Sequence, residues 1–321
     1  MTRYYAFNGD ADGVCALQQL RLSETGDATL VTGVKRDIRL LERVDAVAGD
    51  EVTVLDISLD RNRTALLRLL GSGVPVRYFD HHYAGELPEH PHFEAHIEET
   101  GDVCTSVLVD RYLEERHRVW AIVAAFGDGL PKVAAAMAGS VGLSARTTAT
   151  LEKLGISLNY NAYGDSISDL HIDPAELARE MRPFADPQDF VRHSPTFAKL
   201  ASGYDEDMCK ARALIPTRQV PGAMTLVLPG EPWARRAIGV LANELTQAQP
   251  ECAIAILSPT VRGGFVVSVR VPAGRSVSAD EFCREFETGG GRKLAAGIDC
   301  LQDSDVDSFV ERFEARYRVR S

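Results

Sequence analysis

The chain has 321 residues, about twice a common domain length, so two separately cored domains are the first expectation. Its composition, 45% hydrophobic and 25% charged, is that of a globular protein and excludes disorder as a dominant theme. A formal net charge of −11 excludes tight, sequence-independent binding of long duplex DNA through a broad basic face, and leaves room for a small phosphorylated ligand in a locally positive cleft.

The first half alternates short apolar runs with amphipathic stretches. "RYYAF" precedes a helix expected over residues 14–22, and "TLVTGV" precedes a charged helical segment over residues 36–47. "VTVLDIS" precedes the helical "RNRTALLRLLGSG", and "VPVRYFDHH" follows it. This alternation is the pattern of βαβ units, hence an α/β fold with a parallel sheet covered by helices on both faces. Residues 103–154 turn helical, with apolar positions at three- and four-residue spacing. A polar region then leads to a helical connector that ends at Pro216. Beyond it, "AMTLVLP", "WARRAIGVLANELTQ", "CAIAILS", "GFVVSVRVP" and "DEFCREFE" alternate strand, helix, strand, strand, helix. The organisation expected is therefore a domain over residues 1–190, a connector over 191–220 and a smaller α/β domain over 221–321. The six cysteines are scattered without a C-x-x-C pair, and read as reduced thiols. No run of about 18 apolar residues occurs, and acidic residues interrupt the N-terminal stretch early, so a cytoplasmic protein with no membrane span is expected.

Three apolar runs of the first half end in polar clusters: Asn8 to Asp12, Asp56 to Ser58, and Asp80 to His82. In open α/β sheets the carboxyl ends of the strands face one crevice, which brings such clusters together. Asp10 and Asp12 stand on a turn between Gly9 and Gly13, where alternate residues can direct two carboxylates into one pocket. Their repulsion is relieved by a divalent cation; the alternative is a loop whose aspartates cap a helix. Asp56 taken alone reads first as a helix cap. Asp80, His81 and His82 offer a carboxylate beside two imidazoles, a set suited to metal binding and to proton transfer. Asp128, after the apolar "AIVAAF", must be capped, paired or metal-bound if buried, whereas Asp102 is better suited to capping the helix that follows it.

With these residues in order, the sequence resembles the DHH phosphoesterase superfamily, in its oligoribonuclease and RecJ-like branch. "NGDADG", "LDIS", "YFDHH" and "AFGD" match its successive motifs, while "GGGRKLAAG" and "VVSVR" resemble the glycine-rich and S-x-R signatures of the DHH-associated C-terminal domain. The resemblance implies a metal-dependent hydrolase with its active site in the cleft between the domains. It implies two divalent ions, manganese with magnesium as the alternative, held by Asp10, Asp12, Asp56, His81 and Asp128, with Asp56 bridging. It places His82 beside the scissile phosphate as a catalytic residue with Asp56, and leaves Asp80 as either a ligand or a group orienting a histidine. It makes Gly289, Gly290, Gly291, Arg292 and Arg270 a substrate-phosphate site. Arg292 departs from the family, which often has histidine there. The substrates implied are short single-stranded oligonucleotides or linear dinucleotides, with polyphosphate or another small phosphoester as the alternative. A non-catalytic, nucleic-acid-binding subunit of the same fold is the alternative from another class.

Overall fold

Side-chain alternation along the strands sets the layers of the first unit. The computed structural model describes residues 1–319, and the chain divides into Met1–Tyr204 and Asp205–Ser321. In the first unit, β1 (Arg3–Phe7), β2 (Thr29–Val31), β3 (Glu51–Leu55), β4 (Val76–Asp80) and β5 (Phe93–Ile97) form an all-parallel sheet in the order β2-β1-β3-β4-β5. Because successive strand residues face opposite sides, Tyr5, Phe7, Leu55 and Phe79 enter one core, whereas Ala6, Val52, Val54, Val76 and Tyr78 enter the other.

The first core is covered by α1 (Ala11–Ser23) and by a helical layer of α3 (Thr105–Tyr112), α4 (Arg118–Gly127), α5 (Pro131–Ser140), α6 (Ala145–Asn161), α7 (Pro174–Met181) and α8 (Pro187–His193); α2 (Leu59–Gly71), which precedes these in the chain, covers the second. Every residue of α4 from Trp120 to Gly127 is buried, as its nearly all-apolar sequence requires. Helices α7 and α8 arise in the region read only as polar. Each begins with an aspartate cap followed by proline, Asp173-Pro174 and Asp186-Pro187.

The helix expected over residues 36–47 is absent; one 3-10 turn, Leu40–Arg43, stands there instead. Side chains of α2 take the backbone groups that such a helix would use internally. Asn62 accepts from Leu41 N–H and donates to Ile38 C=O, while Arg68 donates to the carbonyls of Leu41 and Val44. Strand β5 is a further element without a sequence signal, since its "FEAHI" lacks an apolar run.

The boundary at Tyr204 falls inside α9 (Pro195–Arg212). The second unit contains β6 (Arg218–Val220), β7 (Ala223–Val227), α10 (Pro232–Ala248), β8 (Ala253–Pro259), β9 (Phe265–Arg270), α11 (Ala279–Cys283), β10 (Gly289–Arg292), β11 (Ala295–Leu301) and α12 (Val306–Tyr317). Its mixed sheet runs β10-β11-β9-β8-β7-β6, with β7 and β8 parallel across α10. Phe282, Phe309, Phe313 and Tyr317 pack edge-on or stacked in its core. The glycine run is thus an edge strand rather than a loop. A Cβ on Gly289 would stand 1.7 Å from the carbonyl oxygen of Cys283, so α11 could not approach β10 as it does.

Candidate metal centre

Strand register assembles the site. Phe7 pairs with Leu55, and Leu55 with Phe79, so the residues after these three leave the sheet side by side. The backbone continues the ladder one step further, with Asn8 N–H on Leu55 C=O and Asp56 N–H on Phe79 C=O, at 3.1 and 3.0 Å. Here the connections diverge: β1 leads to β2 on one side, and β3 leads to β4 on the other. That is a topological switch point, where open parallel sheets form their ligand crevice.

Asp56 has a left-handed backbone, φ 59°, which a non-glycine residue adopts at a cost of order 1 kcal/mol or more. The Tyr78 hydroxyl, donating to Ile57 C=O at 2.6 Å, pins this turn. Asp56 is therefore no helix cap; Ser58 stands at that position of α2 and makes no side-chain cap bond. Asp10 does cap: its Oδ1 accepts from the N–H groups of Asp12 and Gly13 at 3.0 and 3.1 Å. Gly13 is needed there, because a Cβ would lie 2.1 Å from the Asn8 carbonyl oxygen.

Asp12 caps a different helix. Its two oxygens accept from Thr105 N–H and Ser106 N–H, each at 2.7 Å, at the start of α3. The capping role expected of Asp102 thus falls to Asp12, since the residue at the α3 cap, Cys104, makes no side-chain cap bond. Asp128 stands at the C-terminal end of α4, where the helix dipole opposes a negative charge.

Three of these side chains converge on His81. Oxygens of Asp12, Asp56 and Asp128 lie 3.9, 3.4 and 3.8 Å from His81 Nε2. Two ligand-capable groups result, Asp12 with His81 and Asp128, and Asp56 with His81 and His82, and they share His81. Burial, followed by the neighbouring Asp10 and Asp12, pushes Asp56 well above the ordinary carboxylate range. Burial and then Asp12 push Asp128 up to about 7. Burial also opposes ionisation of Asp10, but the Lys35 ammonium outweighs it and holds this carboxyl low. Converging buried carboxylates that resist ionisation, with one imidazole among them, fit a small divalent cation well.

Asp80 is buried, and its Oδ1 lies 2.7 Å from His82 Nδ1. That bond raises the His82 pKa despite partial burial, and it fixes the ring by the nitrogen away from Nε2. His82, Asp10, Asp56 and Asp128 line a cavity of about 330 Å³ together with Asn8, Lys35, Ser58, Arg61 and Tyr83.

Sequence reasoning missed Lys35, Arg61, Tyr83 and Asn159. Lys35 follows the "TLVTGV" run as Asp56 follows its own, so a strand-end signal was available. Asn159, within α6, gives no local signal. In the second unit, Arg292 is exposed at the end of β10. Arg270 donates to Asn243 Oδ1 and Ser268 Oγ at 3.1 and 3.0 Å. The structure brings together the site residues of the first unit, while Gly289, Gly290, Gly291, Arg292 and Arg270 belong to the second.

No family model matches the sequence, and no curated protein matches it. Solved structures do. The exonuclease RecJ bound to manganese superposes with a TM-score of 0.67 at 18% identity, over 98% of this chain and 89% of that one. The DHH domain of a member of a family of ribosomal proteins gives 0.67 at 13% identity, over 99% and 87%. A pGpG-specific phosphodiesterase from Vibrio cholerae gives 0.57 at 13% identity, over 98% and 100%. The chain therefore has the DHH fold, a parallel α/β unit followed by a smaller mixed-sheet unit.

Proposed function

We propose that this protein is a divalent-metal-dependent phosphoesterase that hydrolyses linear dinucleotides or short oligonucleotides. The observation that carries the reading is the convergence of Asp12, Asp56 and Asp128 on His81 Nε2, all within 4 Å, at the switch point of the sheet. Similarity in fold to a manganese-bound exonuclease and to a dinucleotide phosphodiesterase supports it; RecJ structures hold manganese or magnesium, and the imidazole of His81 in the donor set favours manganese.

Asp12, Asp56, His81 and Asp128 would hold the ion, which supplies Lewis acidity toward water and the phosphoryl oxygens. His82, fixed through Nδ1 by Asp80, holds a proton on Nε2 for the departing oxygen. Lys35 and Arg61 give the cavity its positive charge against a phosphate. Tyr83, 68% exposed at the cavity wall, offers a ring face to a nucleobase. Polyphosphate has no group that would use it. In this reading Arg292 and Arg270, on the glycine-rich edge strand and on β9, are the phosphate-binding residues of the second unit. All six cysteines are free, which fits a reducing cytoplasm.

The test is hydrolysis of a linear dinucleotide, a short oligonucleotide, polyphosphate and a bis-aryl phosphodiester, with manganese and with chelator. Manganese-dependent cleavage of the nucleotides is expected, lost in Asp56→Ala and reduced roughly 10²–10⁴-fold in His82→Ala. Tyr83→Ala should raise KM for the dinucleotide and leave the aryl ester unchanged. Metal binding without cleavage of any of the four would favour the non-catalytic subunit, and polyphosphate cleavage alone would contradict the nucleotide assignment.

A further inference from the structure

Asp10 lies beside Asp56 but is not one of the three carboxylates that reach His81 Nε2. Its Oδ2 is taken by the Lys35 ammonium, while its Oδ1 serves the first turn of α1. Asp12 also has both oxygens engaged, but by neutral backbone amides, which leave an ion free to share them. A cation on Asp10 Oδ2 would instead stand against another positive charge.

Lys35 is built into this position. Its ammonium also donates to Asn159 Oδ1 at 3.1 Å, lies 5.9 Å from the Tyr163 ring centroid and 4.0 Å from Asp128 Oδ1. The backbone is fixed as well, with Lys35 N–H on Ala162 C=O at 2.9 Å and Lys35 C=O accepting from Asn8 Nδ2 at 3.3 Å. The ammonium nevertheless lines the cavity beside Asp56, His82 and Asp128.

We infer that the centre works with one divalent ion, on Asp12, Asp56, His81 and Asp128, and that the Lys35 ammonium, clamped by Asp10 and Asn159, is a permanent cation where a second ion would otherwise bind. This rests on the phosphoesterase reading above and sharpens it. Lys35 balances charge on the phosphoryl group beside the ion, and Asp10 is a positioning residue for Lys35.

The experiment is manganese stoichiometry by equilibrium dialysis with elemental analysis, together with the electron paramagnetic resonance of the bound ion. Wild type should bind one manganese per chain and give the hyperfine sextet of an isolated ion. Lys35→Met, which frees Asp10, should take up a second ion with a spin-coupled signal, and Lys35→Arg should stay at one. Circular dichroism checks that the variants are folded, and the wild-type count decides even where one is not. Two coupled ions in wild type would overturn this inference and leave the phosphoesterase reading standing. One ion in both wild type and a folded Lys35→Met would overturn it too. No ion in either would overturn both.

Discussion

At the scale of single residues, the centre is a set of charges that the fold forces together against their own preference. Asp128 shows this most directly, at a helix C-terminus, mostly buried and pushed up to about 7. Its ordinary value is near 3.9, so between roughly pH 4 and 7 the metal-free native state holds more protons than the unfolded chain. The stability from this group is present in full below about pH 4 and is lost as pH rises through about 7. Asp56, raised in the same direction, adds to the trend. Metal-free protein should therefore melt at a higher temperature near pH 5.5 than near pH 8. The difference should correspond to a few kcal/mol at most, should shrink in Asp128→Asn and should vanish with saturating manganese. A pH-independent melting temperature in metal-free wild type would show that these carboxylates ionise freely. Much of the residue set was legible in the sequence, because each carboxylate or imidazole closes a short apolar strand or helix. Asn159 was not, since its partner Lys35 lies 124 residues away on another element.

At the scale of elements, one side chain ties the start of α1 to the start of α3. Asp12 sits in the first turn of α1 and caps α3 in place of any residue of its own chain segment. Sequence patterns assign caps by proximity, which is why they point to Asp102. The same limit explains residues 36–47, where helical periodicity is overridden by Asn62 and Arg68 reaching across from α2. Strands β1, β3 and β4 were legible because each is a short run dominated by aromatic and aliphatic residues, as strands buried on both faces require. The capping role is separable from charge. Asp12→Asn and Asp12→Ala both remove a carboxylate, but only asparagine keeps an oxygen acceptor for an α3 amide. Metal-free Asp12→Ala should be the less stable by about 1 kcal/mol, or roughly 2–4 °C in melting temperature. Equal melting temperatures for the two would mean that Asp12 does not hold α3 in solution.

At the scale of the whole molecule, two units of different construction follow one another, an all-parallel sheet with the candidate centre and a mixed sheet with the glycine-rich edge strand. The α/β character of both was legible from alternating strand and helix patterns. The strand nature of "GGGR" was not, because three glycines carry no strand propensity and the tight packing of Gly289 against α11 exists only in the folded unit. The central claim is that the end of the parallel sheet is a metal centre for phosphoester hydrolysis, and the anomalous scattering of manganese in crystals of the whole chain tests it most directly. A peak is expected bounded by Asp12, Asp56, His81 and Asp128, with ligand distances of roughly 2.0–2.3 Å. Crystals grown in millimolar manganese with no peak among these four residues, or with the ion held elsewhere, would contradict the account.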